Sequence, residues 1–68
     1  MEHGTVKSFD ESEGYGWILA DEGTSDLFFH QRSIIGDDKT MMIGARVTYE
    51  SRFVKEVGLE AFDVSLSK

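Results

Sequence analysis

Residues 13–30 read Glu13-Gly14-Tyr15-Gly16-Trp17-Ile18-Leu19-Ala20-Asp21-Glu22-Gly23-Thr24-Ser25-Asp26-Leu27-Phe28-Phe29-His30. Two short runs rich in aromatic and aliphatic side chains flank a polar break, the pattern of two strands joined by a turn. Side chains alternate across a strand, so Gly16, Ile18 and Ala20 share one face of the first run, and Tyr15, Trp17 and Leu19 the other. In the second run Leu27 and Phe29 oppose Phe28 and His30. Neither run has a fully polar face. A small barrel has one interior, which the compact set Ile18, Ala20, Leu27 and Phe29 suits. Tyr15, Trp17, Phe28 and His30 are then left outside, as cross-strand and diagonal neighbours.

The same period of two extends outward. Strands are expected over residues 4–10, 15–20, 26–30, 46–53 and 60–66, with polar turns at 10–14 and 21–25. A long connection covers 31–44, with a short helical turn at 31–34. Val6, Val47, Tyr49, Phe62, Val64 and Leu66 join the interior set. There is no internal repeat and no low-complexity block. Five short strands in so short a chain predict an all-β, five-stranded antiparallel barrel, because closure removes sheet edges that a small sheet cannot otherwise protect.

The 68 residues suffice for one domain spanning 1–68. A chain of this size hides only about 60% of the surface its unfolded form exposes, so its core is thin and a large internal active site is not expected. The absence of cysteine removes disulfides, thiolate metal sites and cysteine nucleophiles, and fits a reducing cytoplasm. Met1-Glu2-His3-Gly4 does not open a basic-then-apolar leader, and no run nears the roughly 18 apolar residues of a membrane span. A soluble, cytoplasmic monomer is expected.

An exposed aromatic patch marks a binding surface. Flat rings on a rigid sheet suit unstacked bases, each worth roughly 1–3 kcal/mol. Trp17 and Phe28 would stack, Tyr15 would stack or donate a hydrogen bond, and His30 would stack or bond a base or phosphate. Gly14 and Gly16 would let a ligand backbone approach. Lys7 is the best phosphate contact, with Arg32, Arg46, Arg52 and Lys55 as a weaker flank of largely solvated charges. Against this stands the formal net charge of −6, unusual for a polyanion binder.

Other chemistries find no support. His3 and His30 have no third nitrogen or sulfur ligand for zinc. Asp37 and Asp38, even with Asp26, lack the spacing of a calcium loop. Ser33, His30 and Asp26 have no nucleophile elbow to organise them. Gly14-Tyr15-Gly16 opens a strand and not a helix, so it is no phosphate loop. No metal, cofactor, small-molecule substrate or catalysis is expected. Met41, Met42 and Ile43 read as lid or core packing.

Gly4-Thr5-Val6-Lys7, Glu13-Gly14-Tyr15-Gly16-Trp17-Ile18 and Asp26-Leu27-Phe28-Phe29-His30 resemble, in order and spacing, the opening strand and the two ribonucleoprotein-type motifs of the cold-shock domain family. The resemblance extends more loosely through residues 44–50 and 61–64. It implies a five-stranded OB-fold barrel that binds single-stranded RNA or DNA, as an RNA chaperone or transcript regulator does, and that tolerates an acidic charge. By position it implies Lys7, Phe9, Tyr15, Trp17, Phe28 and His30 as binding residues, with Asp26 bonding a base edge.

The chain departs from the family pattern at several places. Ser8 stands where the family has a tryptophan, Glu13 where it has a lysine, and Gln31 where it has an aromatic. The usual loop aromatic is missing near Asp37-Asp38-Lys39. Three lost rings would cost about 3 kcal/mol, roughly a hundredfold in affinity. Weak, base-tolerant binding over a short footprint is therefore expected. The alternative is a protein-interaction barrel that has lost most nucleic-acid affinity.

Overall fold

The computed structural model describes residues 2–22, 26–36 and 41–67. Five strands make up the fold: β1 (Glu2–Asp10), β2 (Tyr15–Ala20), β3 (Asp26–His30), β4 (Arg46–Val54) and β5 (Gly58–Leu66). A single 3₁₀ turn, Gln31–Ser33, follows β3. The strands close into a barrel in the order β1-β2-β3-β5-β4. Pairing is antiparallel at every seam but one. β3 and β5 run parallel, with Phe28 opposite Glu60, and a further parallel bridge joins Ile34 to Val64. The wholly antiparallel expectation is corrected at that seam alone. Closure there joins strands far apart in sequence, whose relative direction no hairpin dictates.

The β1–β2 turn is built on Asp10. Its Oδ1 accepts from the Ser12 hydroxyl at 2.8 Å and from the Ser12 and Glu13 N–H groups at 3.1 Å. These bonds hold its carboxyl below the ordinary range, the Ser12 hydroxyl contributing most. Gly14 completes the turn at φ 80°, where a side chain would be strained.

Arg46 fastens three segments together. Its guanidinium donates two bonds of 2.7 Å to the Asp21 carboxylate and one of 2.8 Å to Thr5 Oγ1. This places it as a structural clamp rather than a free cation on the ligand flank. The bidentate contact lowers the Asp21 pKa and raises that of Arg46.

The core contains Val6, Ile18, Ala20, Leu27, Phe29, Ile34, Met41, Val47, Tyr49, Ala61 and Val64. Tyr49 is almost wholly enclosed, and burial pushes its phenol up. Two expected core residues are not in this set. Phe62 is half-buried and Leu66 is exposed, while Ala61 is fully buried in their stead. The cause is Asp63, a non-glycine residue at φ 53°, which breaks the alternation of β5 between Ala61 and Val64. Leu66 lies opposite Val47 near the end of β5, beyond the enclosed part of the barrel. Of the apolar cluster on the long connection, Met41 is core, whereas Met42 and Ile43 are exposed. No helix among the described residues is long and apolar enough to cross a membrane.

Candidate nucleic-acid interface

β2 and β3 pair with Tyr15 opposite His30, Trp17 opposite Phe28, and Leu19 opposite Asp26. All six therefore project from one side of the sheet, away from the core residues Ile18, Leu27 and Phe29. Phe28 is the hub. Its ring centroid lies 5.5 Å from Tyr15, tilted by 33°, and 5.6 Å from Trp17, edge-on at 75°. Tyr15 and Trp17 remain 37% and 36% exposed, enough to offer ring surface to a ligand while packed against a neighbour.

A bulge in β1 between Val6 and Ser8 decides which side chains of that strand join the patch. An inserted residue reverses the alternation beyond it. Lys7 and Ser8 both come outside, with Ser8 opposite Trp17, whereas Phe9, opposite Gly16, turns toward the interior. The Phe9 ring stacks on the buried Phe29 at 5.7 Å and 13°. Phe9, which the resemblance implies as a binding residue, is half-buried and backs the sheet beneath the patch.

Lys7 reaches over β2 to Asp26, its Nζ donating to Oδ2 at 2.8 Å. Lys7, Ser8, Trp17 and Asp26 together line a hollow of about 360 Å³. The serine thus leaves an open space beside Trp17 that a larger side chain would fill. His30 ends β3 and caps the following turn, its Nδ1 accepting from the Arg32 N–H at 3.2 Å. With Nδ1 occupied as an acceptor, Nε2 is the nitrogen left to donate.

The two glycines do not serve ligand approach, contrary to expectation. Both are buried, Gly14 against the Gln31 side chain and Gly16 on the inner side of β2. A Cβ on Gly16 would fall on the Ser8 carbonyl oxygen and press on the Phe29 ring, so this glycine permits close packing of β1 on β2. Among the departures from the family pattern, Glu13 is exposed in the turn beside Tyr15. Gln31 is held at the same rim, its N–H donating to the Gly14 carbonyl at 2.8 Å. The region of Asp37, Asp38 and Lys39 lies outside the described residues, which contain no cluster of three or more metal-ligating side chains.

The model of the 'Cold-shock' DNA-binding domain family matches residues 2–67. The chain belongs to the cold-shock domain family. It is 42% identical over 62 residues to the cold shock-like protein CspG of Shewanella violacea, covering 90% of this chain and 87% of that protein. Identity to the cold shock-like protein CspE of Escherichia coli is also 42%, over 48 residues covering 69% of this chain and 70% of the relative. Among solved structures, Drosophila Unr CSD456 matches with a TM-score of 0.79 and 25% identity over 98% of this chain. This chain spans only 26% of that longer one.

Cold-shock domains are nucleic-acid-binding and non-enzymatic. On the outer side of β1–β3 this member gathers Lys7, Tyr15, Trp17, Asp26, Phe28 and His30. This cold-shock domain also places three β4 and β5 side chains on the same side, of which alternation had left only Arg52 outside. Glu60 lies opposite Phe28, Arg52 lies opposite Glu60, and Phe62 follows two residues along β5. The placement of Glu60 and Phe62 depends on the parallel seam and on the backbone reversal at Asp63, neither of which leaves a periodic signal.

Proposed function

We propose that this chain binds single-stranded RNA or DNA on the outer side of β1–β3, and that it acts as an RNA chaperone or regulator of transcripts by trapping unpaired bases. The observation that carries this reading is the contiguous Tyr15–Phe28–Trp17 ring cluster with exposed faces beside Lys7. Bases stack on Trp17 and Phe28, with Tyr15 and His30 at one end, and Asp26 accepts from a base N–H. Phe9 supports the sheet from behind. Lys7 turns to a phosphate when a strand arrives. Its exposed pair with Asp26 is worth at most about 1 kcal/mol, which a phosphate contact can replace.

Such a site holds bases weakly and without strong base preference, because stacking depends on ring area more than on the pattern of donors. Few phosphate contacts also mean a shallow salt dependence. Trp17 reports binding directly: oligo-dT or oligo-U should quench its fluorescence at both low and moderate salt. With a labelled oligonucleotide, Trp17→Ala and Phe28→Ala should each weaken binding by about 1–3 kcal/mol. Undiminished binding by both variants would remove the stacking assignment.

Glu13 beside Tyr15, together with the net charge of −6, favours a second reading, a barrel whose aromatic face meets another protein. Under that reading the oligonucleotide titration leaves Trp17 fluorescence unchanged.

A further inference from the structure

The aromatic face does not end at Phe28. Across the parallel β3–β5 seam Phe28 stands opposite Glu60, and across the β4–β5 ladder Glu60 stands opposite Arg52. Register partners share a side of a sheet, so the row Trp17, Phe28, Glu60 and Arg52 crosses four strands on one surface. Phe62 lies on the same side, two residues beyond Glu60 and opposite Glu50. The Arg52 guanidinium carbon sits 4.0 Å from the centre of the Phe62 ring. Arg52 is exposed and Phe62 half-buried, so the guanidinium lies over the ring at the protein surface.

We propose that Arg52, laid on Phe62, is a further base-stacking position of the single-strand-binding face, and that it holds a base and not a phosphate. The proposal rests on the reading of the Tyr15–Trp17–Phe28 cluster as that face. A guanidinium is planar and weakly hydrated, and unstacked bases lie on such planes as they do on aromatic rings. Phe62 fixes the plane in advance, which lowers the ordering cost of using it. The surroundings disfavour a phosphate. Glu60 occupies the row between Phe28 and Arg52, so a phosphate there would meet like charge. A carboxylate beside a stacking plane instead accepts from the N–H groups that base edges carry. Neighbouring strands are about 4.8 Å apart, which puts Arg52 roughly 10 Å from Phe28, so a chain must continue past Phe28 to reach it.

The test compares wild type, Arg52→Lys, Arg52→Gln and Phe62→Leu on labelled oligo-dT of about 3 and about 8 nucleotides, the longer within the range one such barrel accommodates. Thermal melts establish that each variant is folded. On the longer oligonucleotide, Arg52→Lys and Arg52→Gln should lose affinity alike, by about fivefold or more, the lower limit for one stacked base. Phe62→Leu should lose less, and the short oligonucleotide should not distinguish the four proteins. The dependence of log affinity on log salt should be the same for all. Wild-type affinity in Arg52→Lys would overturn the proposal, because charge alone would then suffice. So would a salt slope about 0.7 smaller in Arg52→Gln, the mark of a lost phosphate contact. Failure of wild type to bind either oligonucleotide would instead sink the reading of the whole face.

Discussion

Ser8 stands at the point where the face is least complete. It lies opposite Trp17, and with Lys7 and Asp26 it borders a hollow of about 360 Å³, ample for one large side chain. Ser8→Trp should fill that space with a second exposed ring and tighten oligo-dT binding by about 1–3 kcal/mol, at least fivefold or so. Titration of a labelled oligonucleotide against the two proteins measures this, and equal affinities would show that the ligand does not pass over β1. At this scale Tyr15, Trp17, Phe28 and His30 were legible, because uninterrupted alternation in β2 and β3 separates them from Ile18, Leu27 and Phe29. Phe9 was not. The bulge at Lys7 reverses the phase of β1 with no glycine or proline to announce it, and Phe9, which only the resemblance singled out, stacks on Phe29.

Among the elements, β2 and β3 form over the residues their apolar runs mark out, between a turn organised by Asp10 and the cap made by His30. β5 shows where such reading stops. Ala61 and Val64 are both fully buried although an odd number of steps separates them, because Asp63 takes a left-handed conformation between them. Asp tolerates that region better than most residues, so nothing in the local sequence demands a phase change. The reversal turns Phe62 out of the core and toward Arg52. Asp63→Val should therefore destabilise the barrel by about 1–2 kcal/mol, since a branched Cβ is strained at positive φ. For a domain this small each kcal/mol lowers the melting midpoint by roughly 4–8 °C. Asp63→Gly should melt close to wild type, its relief of strain offset by the greater freedom of the unfolded chain. Equal melting of the Val and Gly variants would mean that the left-handed turn does not constrain β5.

For the molecule as a whole, closure was legible from five short strands in a chain too small to protect open edges, but the direction of the closing seam was not. β3 and β5 are brought side by side by the long connection and the β4–β5 hairpin, and their parallel pairing at Phe28 and Glu60 depends on packing around Ile34 and Val64. Such a thin core makes the polar fastenings matter more, and two of them titrate in acid. The Asp10 carboxyl is lowered chiefly by the Ser12 hydroxyl, and the Asp21 carboxyl chiefly by its hydrogen bonds from Arg46. A carboxyl with a depressed pKa in the folded state binds protons in the unfolded chain first, so stability rises with pH across that interval. The stabilisation is complete above the ordinary aspartate value of 3.8 and is lost as pH falls through the lower folded-state values. Melting midpoints taken from pH 7 downward should hold nearly level to about pH 4, as far as these two groups are concerned, and then fall. The Asp10→Asn/Asp21→Asn double variant should melt lower than wild type at pH 7 and lose less on acidification, so that the two curves converge in strong acid. Curves that stay parallel from pH 7 to pH 2 would show that neither the Asp10 turn nor the Arg46 clamp contributes to the acid limb.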